Sequence, residues 1–171
     1  MADPAAEPTP GPVRPVRRVW RLTSVRHAER AFTGEGARLY GGRWNHAGTS
    51  LVYTSDTLSL AALEYFVHLE PDLAPDHLAA RAAEIPDDLR IPILSLADLP
   101  AHWRTYPAPE RLKELGTGWA RSRVSVALSV PSAVLPQERN ILLNPLHPDF
   151  ARIRLLPPED FSFDPRLWKV R

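Results

Sequence analysis

Nineteen prolines cut this chain into short pieces, and their positions limit what it can build. Proline has no amide hydrogen and a fixed φ, so helices and central strands stop at it instead of running through. Prolines at 4, 8, 10, 12 and 15 crowd the stretch from Met1 to about Arg18, which has too few large apolar residues to offset the entropy of ordering. Residues 1–18 are therefore expected to form a disordered leader, and residues 19–171 a single domain able to enclose a pocket.

Within that domain, Val19–Leu22 and Leu51–Thr54 have the composition of short strands bracketing a glycine-rich segment. Val25–Phe32 between them suits a helical turn or an ordered loop. Ser55 or Asp56 can cap a helix from Thr57 to about Leu69, which Pro71 stops. Its apolar residues leave little polar face, which predicts burial on most sides. Leu78–Ile85 ending at Pro86, Val124–Val130 ending at Pro131, Asn140–Leu143 and Arg152–Leu156 read as further strands. Prolines at 92, 100, 107 and 109 weaken the segment 86–118 and leave a short helix at Pro109–Leu115. Strands outnumber helices without the regular alternation of a doubly wound sheet. The expected fold is mixed α+β, with a largely antiparallel sheet and flanking helices.

The 21 basic and 20 acidic residues nearly cancel, leaving +1, so no overall field favours nucleic acid or an anionic membrane. The absence of cysteine removes disulfides, thiolate metal sites and cysteine nucleophiles. No apolar run reaches the roughly 20 residues that span a bilayer, and no signal-peptide core is visible. A cytoplasmic protein is expected.

Chemistry concentrates in four places. Five of the eight glycines lie between Gly34 and Gly48, around Gly41-Gly42-Arg43-Trp44-Asn45. Such a cluster permits positive φ and close backbone approach, and its arginine supplies paired donors for phosphate or carboxylate. Glu64 stands in an otherwise apolar helix, roughly 65° from the centre of the Leu60, Leu63, Val67 stripe. A carboxylate there needs a cation or donors. Tyr53 ends a strand just before that helix, where it can stack on a planar ring or pack as a core tyrosine. Ser132 follows Pro131 without a nucleophile elbow, so a triad with His147 and Asp149 is disfavoured. The histidines show no metal-ligand spacing, and no metal is expected.

In one order along the chain stand Trp20-Arg21, Gly34-Glu35-Gly36-Ala37-Arg38, Gly41-Gly42-Arg43-Trp44-Asn45, Val52-Tyr53-Thr54, Ala61-Ala62-Leu63-Glu64, Val130-Pro131-Ser132-Ala133, Asn144-Pro145-Leu146-His147-Pro148-Asp149 and Phe163-Asp164-Pro165-Arg166-Leu167. Together they resemble the RES domain, the toxin half of bacterial Xre-RES toxin-antitoxin systems. The resemblance implies a fold similar to ADP-ribosyltransferase toxins, with NAD⁺ as substrate and no separate cofactor. It implies a toxin that degrades NAD⁺ at the nicotinamide–ribose bond by hydrolysis or phosphorolysis. A protein ADP-ribosyltransferase and a non-catalytic NAD⁺-binding module are the alternatives. Glu64, Arg43 and Ser132 would be catalytic, with Arg21, Gly42 and Tyr53 completing the substrate site. Arg26 and Arg30 compete with Arg21 for the second phosphate contact. A helix-turn-helix antitoxin of Xre type would be the protein partner, and DNA contact would belong to it.

Overall fold

The computed structural model describes residues 16–69 and 77–168. Its strands are β1 (Val16–Ser24), β2 (Val52–Ser55), β3 (Leu78–Pro86), β4 (Ala127–Pro131), β5 (Arg139–Leu143), β6 (Arg154–Leu155) and β7 (Glu159–Phe161). The α-helices are α1 (Glu35–Tyr40), α2 (Leu58–Phe66) and α3 (Glu110–Ser122). The sheet runs β4-β5-β2-β1-β3-β6, with β7 also on β3, and every ladder is antiparallel. This is the mixed α+β architecture that the sequence predicts. None of the described helices is long and apolar enough to cross a membrane.

Alternation along the strands gives the sheet two apolar faces. One presents Val19, Val52, Ala83, Ile85, Ile141 and Leu143 beneath Phe32, Leu89 and Ile153. The other divides into two patches. Leu128, Val130 and Leu142 pack under Trp44, Trp103 and Leu112, and so are covered by the glycine-rich segment and α3. Trp20 and Leu22 pack under Leu58, Ala62 and Tyr65 of α2. Burying a side chain such as Leu112, which is 0% exposed, contributes about 1.5–3 kcal/mol. One face thus carries two separate covers, α3 with its loop on one side and α2 on the other.

The join between the sheet's halves is narrow. β1 pairs with β3 over nine positions, from Val16↔Pro86 to Ser24↔Leu78, but meets β2 in register at Trp20↔Ser55 alone. Arg21, the next residue, bridges the divergence by donating from Nη1 to the Tyr53 carbonyl at 2.9 Å.

Several element boundaries differ from expectation, each for a local reason. Strand β1 begins at Val16, so the boundary expected after Arg18 falls inside a strand; Arg17 pairs with Asp56 and Arg18 with Glu84, both at 2.6 Å. The remainder of the expected leader lies outside the described residues. Helix α2 is capped by Thr57, whose hydroxyl accepts from the Leu60 amide at 3.1 Å, rather than by Ser55 or Asp56. Its burial is uneven: Leu60 and Ala61 are buried while Leu63, Tyr65 and Phe66 are half-buried and Val67 is exposed, since α2 rests on β1 through Leu58, Ala62 and Tyr65 and meets Phe163 through Phe66. Helix α3 runs on through Gly116 and Gly118 to Ser122. It ends at Arg123 in a left-handed conformation, which leaves Val124 exposed and delays β4 to Ala127. The expected strand Arg152–Leu156 shrinks to β6, since Pro148–Arg152 closes into a 3-10 turn.

Candidate active site between the glycine-rich segment and helix α2

The glycine-rich segment is ordered by polar contacts that its sequence makes possible. Gly41 ends α1 at φ +72°, a conformation costly for residues with a Cβ. Gly42 lies against Tyr53, and a Cβ there would meet the Tyr53 hydroxyl at 2.5 Å. That hydroxyl accepts from the Trp44 amide at 3.0 Å and donates to Asn45 Oδ1 at 2.7 Å. Asn45, fully buried, shares the two hydrogens of Nδ2 among the carbonyls of Ala37, His46 and Thr49 at 2.8, 2.9 and 3.0 Å. One amide therefore ties both ends of the loop to its middle. Helix α3 clamps the loop from outside. Gly116 faces the Trp44 carbonyl so closely that a Cβ would lie 1.9 Å from it, and Thr117 Oγ1 accepts from the His46 amide at 3.0 Å.

Arg43 is thereby fixed between a buried tryptophan and a glycine. Its Nη1 donates to the Trp103 and Thr105 carbonyls at 2.8 and 3.2 Å, while Nε and Nη2 meet no acceptor among the described residues. Desolvation lowers the Arg43 pKa, and the Glu64 carboxylate and then Tyr53 oppose the shift. Arg21 is more deeply set. Burial lowers its pKa against a smaller opposing effect of Tyr53, and its Nε meets no acceptor among the described residues. Burial likewise raises the Tyr53 pKa above the usual tyrosine range, opposed by the Trp44 amide, Arg43 and Arg21. Tyr53 thus feels the charge of two guanidinium groups.

On helix α2, Glu64 obtains the donors that its place in an apolar helix demands. Its Oε1 accepts from Ser132 Oγ at 2.7 Å and from Asn140 Nδ2 at 2.5 Å. Ser132 is 0% exposed, and its oxygen also accepts from the Val134 and Leu135 amides at 3.1 and 3.0 Å. The carboxylate is thus held by neutral groups from the ends of β4 and β5. Its second oxygen, Oε2, meets no donor among the described residues.

The structure brings Glu64 and Ser132 into contact, gathers Gly42, Arg43 and Tyr53 around the glycine-rich loop within electrostatic reach of Glu64, and ties Arg21 to the Tyr53 carbonyl. Arg26 and Arg30 sit instead on an exposed 3-10 turn, where Arg30 pairs with Glu35. His147 faces the Arg123 carbonyl at 3.0 Å and caps its own turn, while Ser132 spends its hydroxyl on Glu64. Two residues of the site escape a reading of the sequence. Asn45 was visible only as part of a run, and Asn140 as one polar residue in a strand. The demand for donors around Glu64 was the available signal, but nothing in one sequence says which strand meets it.

Comparison with known proteins supplies a family. The RES domain family matches residues 18–164. Toxin Res of Yersinia enterocolitica is 39% identical over 150 residues, which cover 87% of this chain and 98% of that protein. The Prs ADP-ribosylating toxin of a Sphingobium species is 34% identical over 152 residues, covering 86% of this chain and 94% of that protein. In the crystal structure of the Mycobacterium tuberculosis MbcT-MbcA toxin-antitoxin complex, a chain matches with a TM-score of 0.69 over 91% of this chain and 88% of its own length. At 16% identity that likeness shows a shared fold.

Proposed function

Because this chain belongs to the RES-domain family, we propose that it is the toxin of a toxin-antitoxin pair, acting by cleavage of the nicotinamide–ribose bond of NAD⁺. One observation carries the reading: a half-buried carboxylate, Glu64, held through one oxygen by neutral donors and without a donor among the described residues at the other, within electrostatic reach of an arginine with unused donors. As nicotinamide leaves, its bonding electrons neutralise the pyridinium and positive charge builds on the ribose. A fixed carboxylate beside that ring favours the transition state over the ground state. The leaving group departs neutral, so no second carboxyl is required to protonate it. Water then adds to the ribose carbon and releases a proton, or phosphate adds to give the ribose phosphate ester.

Arg43 offers Nε and Nη2 to the pyrophosphate, with Arg21 adding a fixed positive charge beneath Tyr53. Ser132, which the resemblance makes catalytic, acts in this reading through Glu64. Its hydroxyl is enclosed and engaged, so it orients Glu64. Tyr53 similarly commits its hydroxyl to the loop and serves as wall. The fold shared with a chain of a toxin-antitoxin complex supports an antitoxin partner, and the resemblance assigns it the Xre type. NAD⁺ is substrate in this reading, so no cofactor is needed.

A second reading, transfer of ADP-ribose to a protein, is favoured by the name of the Sphingobium relative. Incubating the purified protein with NAD⁺, with and without phosphate and with a cell extract, and identifying the ribose product distinguishes water, phosphate and protein as acceptors. We expect free nicotinamide, and a loss of turnover of about a hundredfold or more in Glu64→Gln with ADP-ribose binding retained. Intact NAD⁺ and unlabelled protein under every condition would defeat both readings and leave a binding module.

A further inference from the structure

We propose that Asn140 is a positioning residue for Glu64, itself aligned by Ser55, and that this relay selects which carboxylate oxygen faces the substrate. The inference rests on the reading of Glu64 as the carboxylate beside the ribose. Asn140 lies on β5 opposite Ser55 of β2, and register places both on the sheet face that carries the site. Ser55, 3% exposed, donates from Oγ to Asn140 Oδ1 at 2.7 Å. The amide consequently presents Nδ2 to Glu64 Oε1 at 2.5 Å. With the amide reversed, its oxygen would face a carboxylate oxygen at the same contact, two acceptors with no proton between them.

Ser132 and Asn140 converge on Oε1 from different strands, which fixes both the position of the carboxylate and its rotation about the terminal bond. Oε2 is then the oxygen left for the developing charge. Ser132 alone fixes a point; the second donor fixes a direction. A hydrogen bond to a charged group of this kind corresponds to about ten- to hundredfold in rate when its loss lets the carboxylate swing.

The test measures NAD⁺ cleavage by Asn140→Ala, Asn140→Asp and Ser55→Ala, each alone and combined with Glu64→Gln, with melting curves alongside. Asn140→Asp keeps the shape of the side chain, so it remains informative if Asn140→Ala folds poorly. We expect Asn140→Ala to lower kcat about ten- to hundredfold with KM within about threefold, Ser55→Ala to lower it less, and neither to add to Glu64→Gln. Asn140→Asp sets two carboxylates in contact, and its residual activity should return only at higher pH than in the wild type. In the uncatalysing free protein, one Asn140 side-chain amide proton should resonate well downfield and move upfield in Glu64→Gln. Wild-type kcat in Asn140→Asp with an unmoved pH profile would overturn the inference and leave the functional reading standing. Loss of rate that multiplies with that of Glu64→Gln would also overturn it. A wild type inert toward NAD⁺ would remove the functional reading and the catalytic part of the inference together.

Discussion

The Tyr53 hydroxyl works as donor and acceptor at once, toward Asn45 and from the Trp44 amide, and burial raises its pKa. In the unfolded chain a tyrosine ionises near pH 10, whereas Tyr53 in the fold holds its proton to higher pH. Its contribution to stability is therefore complete below about pH 10 and is lost as pH rises beyond it. Tyr53→Phe removes both bonds and strands the Trp44 amide, which should cost about 1–3 kcal/mol at neutral pH. Urea midpoints between pH 7 and 11 check both points: the variant starts lower and declines less steeply above pH 10. Parallel curves would refute the assignment. The need of Glu64 for donors was legible in the sequence, because a charge among Leu60, Leu63 and Val67 cannot go unpartnered. That Asn140 supplies one was not, since strand register decides it. For Tyr53 the two sequence readings differ in what the hydroxyl does, and only the fold shows it tied to the loop.

Helix α3 shows how one glycine can be structural and its neighbour replaceable. The helix expected over Pro109–Leu115 in a proline-broken segment runs on through two glycines to Ser122. Gly116 is retained by contact with the Trp44 backbone, whereas a Cβ at Gly118 would meet nothing within 4 Å. Gly118→Ala should thus stabilise the protein by about 0.5–1 kcal/mol through helix propensity. Gly116→Ala should destabilise it by about 3 kcal/mol or more, since the obstacle is main chain and cannot rotate aside. Denaturant titration of the two variants gives the comparison, and equal effects of one sign would refute it. Because Trp44 adjoins Arg43, Gly116→Ala should also raise the KM for NAD⁺ in the proposed reaction. The strands were more legible than this helix: β3 and β5 follow apolar runs bounded by turn residues, whereas the short α1 hides within the glycines that flank it.

Across the whole molecule, Glu84 joins three strands. From β3 its carboxylate receives Arg18 of β1 at 2.6 Å and Arg154 of β6 at 2.5 Å, and is 6% exposed. Hydrogen bonds from Arg18 and then Arg154 hold its pKa below the ordinary glutamate value. A depressed folded pKa stabilises above the unfolded value, about 4.3, and that stability is lost as pH falls toward the folded value. Melting temperatures between pH 7 and 3 should therefore fall more steeply for the wild type than for Glu84→Gln; identical slopes would count against the clamp. Overall class was readable because few helices separate many short strands, but the single register pair between β1 and β2 was not, since nothing local to either strand encodes their parting.

The sharing of the Asn45 side-chain amide among three loop carbonyls has a kinetic corollary. With the loop between Ala37 and Thr49 already tied together, capture of the proposed dinucleotide substrate should involve no flap to shut. Stopped-flow traces should be single exponentials whose observed rate climbs in a straight line with ligand concentration, and a plateau would reveal a hidden rearrangement.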